Sequence, residues 1–293
     1  MISIKEKLKS GKILISDGAW GTFLQQNELQ PGECPESWNI LKPGIVYNIA
    51  KSYIDAGSDM IETNSFGGNK FKLGMFGLEE KVYEYNKAAA ELSRKAAGDK
   101  NVMGSVGPTG KMILTGEVSE EELFEAFKEQ IIALHDGGAD AIVIETMSAL
   151  DEAILAIKAA KEFTRCEIVC TMTFEKGAGE DFNTMMGVTP EEMTAQVIDA
   201  GADIIGANCG NGSKGMISIV EKIRNVNKDI PILIHANAGM PIYKDGETIF
   251  PESPDEMATY VQALISSGAN IIGGCCGTTP EHIKKMADIV NRI

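Results

Sequence analysis

Three cysteines occupy positions from which their thiols could act together. Cys275 and Cys276 are adjacent and follow an apolar run, and Cys209 also comes directly after an apolar run. Neighbouring side chains on a strand point to opposite faces, so both adjacent thiols reach one ion only if the backbone turns there. The glycines of the segment GGCCGTTP (273–280) permit such a turn. Three thiolates with a fourth position open to substrate form a catalytic zinc site. The alternative is that all three are small buried apolar side chains.

Length, charge and cysteine content limit the possible functions. The chain has 293 residues, six cysteines and a formal net charge of −15. Cysteines so widely spread are not typical of a secreted disulfide framework, which favours thiol, metal or catalytic roles. Without a basic stretch, the chain has no means of binding a nucleic-acid backbone. The first residues, MISIKEKLKSGK, contain no apolar signal segment, and no run is long enough to cross a bilayer. We therefore expect a cytoplasmic protein that binds no membrane.

A repeating unit runs along the chain, consisting of a β-branched run, a polar or glycine-containing loop and an amphipathic segment. The predicted strands are Ile13–Ser16, Asp59–Thr63, Val102–Val106, Ala141–Glu145, Glu167–Phe174, Asp203–Ala207, Ile230–His235 and Asn270–Gly273. The predicted helices are Ile45–Asp55, Leu78–Ala97, Ser119–His135, Ala149–Phe163, Pro190–Ala200, Lys214–Val226, Pro254–Ser266 and Pro280–Ile293. This alternation predicts a single-domain (β/α)8 TIM barrel over residues 1–293. A doubly wound open sheet is the main alternative, but it would need fewer strands.

Unusual polar residues collect where the predicted strands end. Barrels of this type carry their active sites at the carboxyl ends of the strands, so these residues form one candidate site. They are Asp17, Glu62-Thr63-Asn64, Pro108-Thr109, Glu145-Thr146, Asn208-Cys209, Asn237 and Cys275-Cys276. His235 shares a face with Asn237, and we interpret it as a core or supporting residue rather than a ligand.

Seven motifs in order along the chain carry a family resemblance. They are DGAWGT (17–22), ETNSFGG (62–68), GSVGPTG (104–110), ETMSA (145–149), GANCG (206–210), NAG (237–239) and GGCCGTTP (273–280). Together they resemble the homocysteine S-methyltransferase family, most closely the homocysteine-binding barrel of cobalamin-dependent methionine synthase. The resemblance implies that Cys209, Cys275 and Cys276 bind zinc. It also implies transfer of a methyl group to the thiol of homocysteine, giving methionine.

The methyl donor follows from the same resemblance. Folate- and corrinoid-binding domains are not present in this sequence, so a methylated corrinoid such as methylcobalamin would come from a partner protein in trans. Other members of the family use betaine or S-methylmethionine, and a small donor of that kind is the first alternative. A non-catalytic subunit that binds zinc and homocysteine is the second.

The amino-acid end of homocysteine carries a positive ammonium and a negative carboxylate, so its binding site needs partners for both groups. Asp17 and Glu145 are anionic groups at strand ends and suit the ammonium, and the resemblance assigns them similarly. Hydroxyls and backbone N–H groups suit the carboxylate, for which Thr63, Ser105 and Thr109 are the candidates.

Two further residues and one segment lead to predictions about the site. Asn237 is a candidate for the fourth, weak zinc ligand before substrate binds. Trp20 departs from the family pattern, where we expect a less bulky residue. The glycine-rich segment Lys176–Val188 is either a lid over the donor or an apolar loop packed on the barrel rim.

Overall fold

Eight parallel strands form a nearly closed barrel. The computed structural model describes residues 2–177, 181–244 and 247–293. The barrel strands are β1 (Leu14–Ile15), β2 (Met60–Glu62), β3 (Asn101–Val106), β4 (Ala141–Met147), β5 (Glu167–Met172), β6 (Ile204–Gly212), β7 (Ile232–Asn237) and β8 (Ile271–Gly274). Each strand from β2 to β8 pairs in parallel with the next, and β8 pairs with β1. The barrel prediction is confirmed, and the open doubly wound sheet is wrong.

Asp59 joins β1 to β2, where the barrel closes. Its backbone N–H donates to the carbonyl oxygen of Ile15 at 2.7 Å, and its carboxylate accepts from the N–H of Ile15 at 3.1 Å. Lys12 lies 2.9 Å from the same carboxylate. One side chain therefore supplies part of the hydrogen bonding that a longer β1 would provide.

Helices surround the strands, as the amphipathic segments predict. Their bounds are Pro43–Asp55, Val82–Ala97, Glu120–Asp136, Leu150–Phe163, Pro190–Ala200, Ser213–Val226, Pro254–Ala258 with Val261–Ser267, and Pro280–Val290. Thr189 shows why such starts were recognisable: its side chain accepts from the N–H of Glu192, whose carboxylate bonds back in a capping box. At the other end of the same helix, Gly201 adopts a φ of +112°, the left-handed conformation that ends many helices.

The predicted helix Pro254–Ser266 is divided in two in the structure. The N–H groups of Thr259 and Tyr260 bond to carbonyls three residues earlier instead of four. This tighter turn ends the first segment before Val261–Ser267 begins.

Shorter elements not expected from the sequence complete the fold. They are helices Ile4–Leu8, Gly21–Gln26, Trp38–Leu41 and Lys70–Gly74, three short 3-10 turns at Pro35–Ser37, Glu79–Lys81 and Ile113–Thr115, and two hairpins that pair Glu175–Lys176 with Phe182–Asn183 and Ile242–Lys244 with Glu247–Ile249. The first hairpin belongs to the segment 176–188, of which residues 178–180 lie outside the described part. No helix in the described ranges is long and apolar enough to cross a membrane.

The barrel interior is apolar at its amino end. Ile4 of the first helix packs there against buried residues of the strands, among them Leu14, Met60 and Leu233. Glu167 holds this helix, since its carboxylate accepts from the N–H of Ile4 at 2.6 Å and from that of Lys5 at 2.9 Å. A second apolar layer fills the space between strands and helices. With the amino end closed, the polar interior lies at the carboxyl ends of the strands.

Candidate functional site

The structure brings the three predicted thiols together at the carboxyl end of the barrel. The sulfur atoms of Cys209, Cys275 and Cys276 all lie within 4.8 Å of one another, and those of Cys209 and Cys276 are 4.0 Å apart. All three residues are partly exposed. Strands β6 and β8 are not neighbours, but both pair with β7, so their carboxyl ends lie close enough for the thiols to form this cluster.

An irregularity at the end of β6 aims the Cys209 thiol. Residues 209–211 lie opposite the single residue Ala236 of β7, because the pairing shifts between Asn208 and Gly212. Cys209 has a φ of +57° and Gly210 a φ of +67°. A left-handed conformation costs a non-glycine residue of the order of 1 kcal/mol or more. The fold maintains this strain at the residue whose thiol joins the cluster.

The chain turns immediately after β8, which directs two adjacent thiols to one place. The N–H of Cys275 donates to the carbonyl of Ala236 at 2.7 Å, and the carbonyl of Cys276 accepts from the N–H of Ala238 at 3.0 Å. Gly277 then adopts a φ of +81°. Backbone bonds to β7 on both sides of the pair therefore hold the turn in place.

The charges of the cluster suit a cation. The pKa of Cys209 is lowered to about 3, because its thiolate accepts hydrogen bonds from the thiols of Cys275 and Cys276. The same contacts raise the pKa of Cys276 to about 12 and that of Cys275 well above its usual value. One thiolate is therefore favourable, but a second and a third require a positive ion.

Zinc fits this set of donors. Three sulfur ligands and one further position are typical of catalytic zinc sites. Asn237 contributes to lowering the pKa of Cys209, and its amide oxygen is buried without a hydrogen-bond partner among the described residues. The role of this oxygen as a weak fourth ligand stays a prediction.

A cavity of about 270 Å³ opens beside the thiols. Its lining includes the three cysteines, Glu62, Thr63, Ser105, Glu145, His235 and Trp20. This volume corresponds to roughly nine water molecules and suits a ligand of amino-acid size. Sulfur donors and carboxylates therefore face one small space.

Glu145 is bound at both oxygens on the wall of the cavity. The hydroxyl of Ser105 donates to one oxygen, and the amide of Asn208 lies 3.5 Å from the other. Burial raises the pKa of Glu145 to about 7. A cationic group entering the cavity would favour its ionised form.

Asp17 lies behind the cavity wall and is fully buried. Its carboxylate accepts from the indole N–H of Trp20 at 2.9 Å, from the backbone N–H of Glu62 at 2.9 Å and from the hydroxyl of Ser16 at 3.1 Å. Burial raises its pKa to about 6, and these donors lower it. The unexpected Trp20 thus has a specific partner: it is a hydrogen-bond donor to a buried acid.

The three predicted hydroxyl residues differ in position. Thr63 and Ser105 line the cavity, and the hydroxyl of Thr63 accepts from the N–H of Ser105 at 2.9 Å. Thr109 is buried elsewhere, where its hydroxyl donates to Glu152 at 2.6 Å. The structure therefore brings Thr63 and Ser105 into the site and places Thr109 among the contacts that hold the loop after β3.

Glu62, which the sequence placed in the candidate site without a specific role, and His235, which we interpreted as a core or supporting residue, both belong to the site. Both are buried, line the cavity and lie close to each other, with the Nδ1 of His235 3.4 Å from Glu62 Oε1. The position of Glu62 at the end of a predicted strand was the available signal. For His235, the strand pattern indicated an inward face, but no spacing rule distinguishes a cavity residue from a core residue.

The chain is similar to known proteins in two sequence comparisons, one with a family profile and one with individual proteins. A sequence profile described as homocysteine S-methyltransferase matches residues 14–290. The methionine synthases of Mycobacterium leprae and Mycobacterium tuberculosis are 31% and 30% identical over 96% and 97% of this chain. The chain spans about a quarter of the length of these relatives, 24% and 25%.

Solved structures show the same fold. The metallated form of the homocysteine methyltransferase MmuM from Escherichia coli superposes with a TM-score of 0.80 at 21% identity, covering 98% of this chain and 99% of that one. The apo form of the same protein gives a TM-score of 0.75 at 22% identity, covering 96% and 97%. At these identities the likeness supports the barrel architecture alone.

Proposed function

The chain belongs to the homocysteine S-methyltransferase family, and on this premise we propose that it transfers a methyl group to the thiol of homocysteine, giving methionine. The observation that carries the proposal is the convergence of three thiols and the cavity-lining carboxylates, among them Glu62 and Glu145, on one small cavity. Thiols suit a zinc ion, and carboxylates suit an ammonium group. A substrate with a thiol at one end and an ammonium at the other matches both.

Cys209, Cys275 and Cys276 would hold zinc, with Asn237 as the fourth ligand before substrate binds. When bound, zinc would lower the pKa of the substrate thiol and so supply a thiolate at neutral pH. The β6 irregularity and the β7 backbone bonds preorganise the three sulfurs. The protein then need not reorder its chain to bind the ion.

The remaining polar groups would orient the amino acid. Glu145 faces the cavity and would accept from the ammonium, and Asp17 adds negative charge from behind the same wall. Thr63 and Ser105 line the cavity and are the candidates for the carboxylate. The hydroxyl and the N–H of Ser105 donate to Glu145 and Thr63, so the substrate carboxylate would replace one of these bonds. Thr109 would act indirectly, through the loop that it anchors to Glu152.

The transfer itself is a displacement at carbon. The substrate sulfur, having lost its proton, uses a lone pair to form the new sulfur–methyl bond. The bond between the methyl group and its donor breaks, and its electron pair leaves with the donor. The chain's contribution is to hold the sulfur and to exclude competing water from a largely buried space.

For the donor, we propose a methylated corrinoid carried by a partner protein in trans. The support is the relationship to proteins named methionine synthase, together with the motif forms TNSFG, GPTG and CCGTTP. A small donor such as betaine or S-methylmethionine is the second candidate.

The experiment uses zinc-loaded protein with homocysteine and, in separate reactions, methylcobalamin, betaine or S-methylmethionine. We expect methionine to form with methylcobalamin, together with the absorbance change of demethylation. Cys275→Ala should abolish the product, whereas Cys166→Ala should retain it, because Cys166 lies before β5 and outside the cluster. Product from a small donor alone would replace the corrinoid proposal. Binding of zinc and homocysteine without turnover on any donor would favour a non-catalytic subunit.

A further inference from the structure

The carboxylate of Glu62 is firmly positioned but incompletely bonded. Its backbone is fixed on both sides, since its N–H donates to Asp17 and its carbonyl accepts from the hydroxyl of Ser93 at 2.9 Å. The residue is 7% exposed and lines the cavity. Its Oε1 atom is buried and makes no hydrogen bond. This atom faces the Nδ1 of His235 at 3.4 Å, and among the described residues neither carboxylate oxygen accepts a hydrogen bond. A buried carboxylate without donors is costly, so a ligand in the cavity would meet a carboxylate with free acceptor capacity.

Asp17 and Glu145 differ from Glu62 in this respect. Asp17 accepts from three donors of the protein, and Glu145 accepts from Ser105 and approaches Asn208. Glu62 thus offers the free acceptor. Burial, together with the neighbouring Glu145 and Asp17, raises the pKa of Glu62 well above its ordinary value. A cation entering the cavity would offset the burial of Glu62 and the repulsion from Glu145 and Asp17, and so favour the ionised form of Glu62.

His235 lies against Glu62 but does not supply that cation. Its Nδ1 is 3.4 Å from Glu62 Oε1, and its Nε2 is buried without a partner. Burial lowers the pKa of His235 to about 3, so the ring is neutral at physiological pH. The ring lies over Gly273 of β8, where an added Cβ would be 2.8 Å from its Cδ2. The absence of a side chain at Gly273 therefore allows His235 to reach Glu62.

We propose that Glu62 accepts a hydrogen bond from the ammonium of the substrate, beside Glu145, and that His235 is a positioning residue that orients Glu62. An ammonium has three N–H donors. Glu62 and Glu145 together can accept hydrogen bonds from more of these donors than Glu145 can alone. This inference rests on the proposed function, because it concerns the same substrate. It assigns to Glu62 a specificity role, namely selection for a thiol with a free α-amino group.

The test compares two ligands by calorimetry on zinc-loaded protein: homocysteine and 4-mercaptobutanoate, which is homocysteine without its amino group. Loss of charged hydrogen bonds should weaken binding to wild-type protein by roughly 10- to 150-fold. In Glu62→Gln, which retains the shape and removes the charge, we expect this ratio to fall by about tenfold, with 4-mercaptobutanoate bound as in wild type. His235→Ala should reduce the ratio less, and His235→Gln should restore part of it by returning a polar side chain that packs against Glu62.

Glu167→Gln is the matched control, because this carboxylate bonds backbone N–H groups at the opposite end of the barrel. It should keep the wild-type ratio. An unchanged ratio in Glu62→Gln, with homocysteine still bound by wild type, would overturn the inference and leave the proposed function standing. Failure of wild-type protein to bind homocysteine would overturn the proposed function and the inference with it.

Discussion

At the scale of single residues, buried acids distinguish this site from an ordinary barrel end. Asp17, Glu62 and Glu145 are each at least nine-tenths buried. Isolated charges in such surroundings are unfavourable unless donors or cations compensate them. Asp17 is compensated by the protein, whereas Glu62 retains a free acceptor. The same residue type therefore has a supporting role in one position and a proposed binding role in another.

Trp20→Phe tests the compensation of Asp17. The substitution removes the indole N–H bond to the carboxylate, and we expect a loss of about 1.5–3 kcal/mol in the free energy of unfolding at pH 7.5, where Asp17 is ionised. The pKa of Asp17 is about 6 in the folded protein, so at pH 5 the acceptor is neutral and the loss should shrink.

The direction of this pH dependence follows from the proton that Asp17 binds in the folded protein. Without the indole donor, folded Asp17 binds its proton at higher pH than in wild type, so the stability difference between the two proteins grows as pH rises. Urea unfolding at both pH values measures it. An equal loss at pH 5 and pH 7.5 would attribute the effect to packing of the ring and not to the hydrogen bond.

At the scale of elements, the site depends on strand ends that depart from regular geometry. The shifted pairing of β6 with β7 and the turn after β8 place thiols that regular strands would point apart. Irregularities of this kind are common beside active sites, where they redirect a side chain. The strain at Cys209 is the local cost of that redirection.

Gly210→Ala tests whether the β6 irregularity positions the thiol. Gly210 has a φ of +67°, and an added Cβ would lie 2.5 Å from the carbonyl oxygen of Phe174. We expect a loss of about 1–3 kcal/mol in stability and a zinc affinity at least tenfold weaker, because the shift propagates to Cys209. Gly44→Ala is the control, since Gly44 lies in a helix with open space around its Cβ position.

The measurements are urea unfolding and competition for zinc with a chromophoric chelator. Weaker zinc binding in Gly210→Ala with an unchanged affinity in Gly44→Ala is the expected pair of results. If Gly210→Ala binds zinc as tightly as wild type, the geometry of this turn does not control the metal ligand.

At the scale of the whole molecule, the ion would link strands that are far apart in the sequence. Cys209 ends β6, and the adjacent pair follows β8, more than sixty residues later. A ligand that binds the folded state but not the unfolded state stabilises the fold by about 2.7 kcal/mol at a concentration of one hundred times its dissociation constant. Zinc should therefore stabilise the entire barrel and not only its rim.

Thermal unfolding with and without zinc checks this expectation. Wild-type protein should show a Tm several degrees higher with zinc than after removal of the metal by a chelator. Cys276→Ser should lose most of that response, because a weaker ligand replaces one thiolate. Cys166→Ala should keep it. A Tm response in Cys276→Ser equal to that of wild type would place the zinc elsewhere.

Much of this organisation follows from the sequence alone. The alternation of apolar runs with amphipathic segments predicts the eight strands and their helices, since periodicity reports which faces are buried. The helix start at Thr189 and its end at Gly201 were recognisable because capping is a local interaction. The three cysteines and Glu145 were candidates because they follow strands, and parallel strands of a barrel share one carboxyl end.

The tertiary structure decided what depends on contacts between distant segments. Trp20 bonds to Asp17, Thr109 bonds to Glu152 instead of lining the cavity, and Glu62 meets His235 across the barrel. The sequence determined the order of elements and the end of the barrel where chemistry is possible, because these are matters of local pattern. Which polar atoms are satisfied by the protein and which remain free for a ligand is a three-dimensional property. It depends on distances of a few ångströms between residues that no sequence spacing relates.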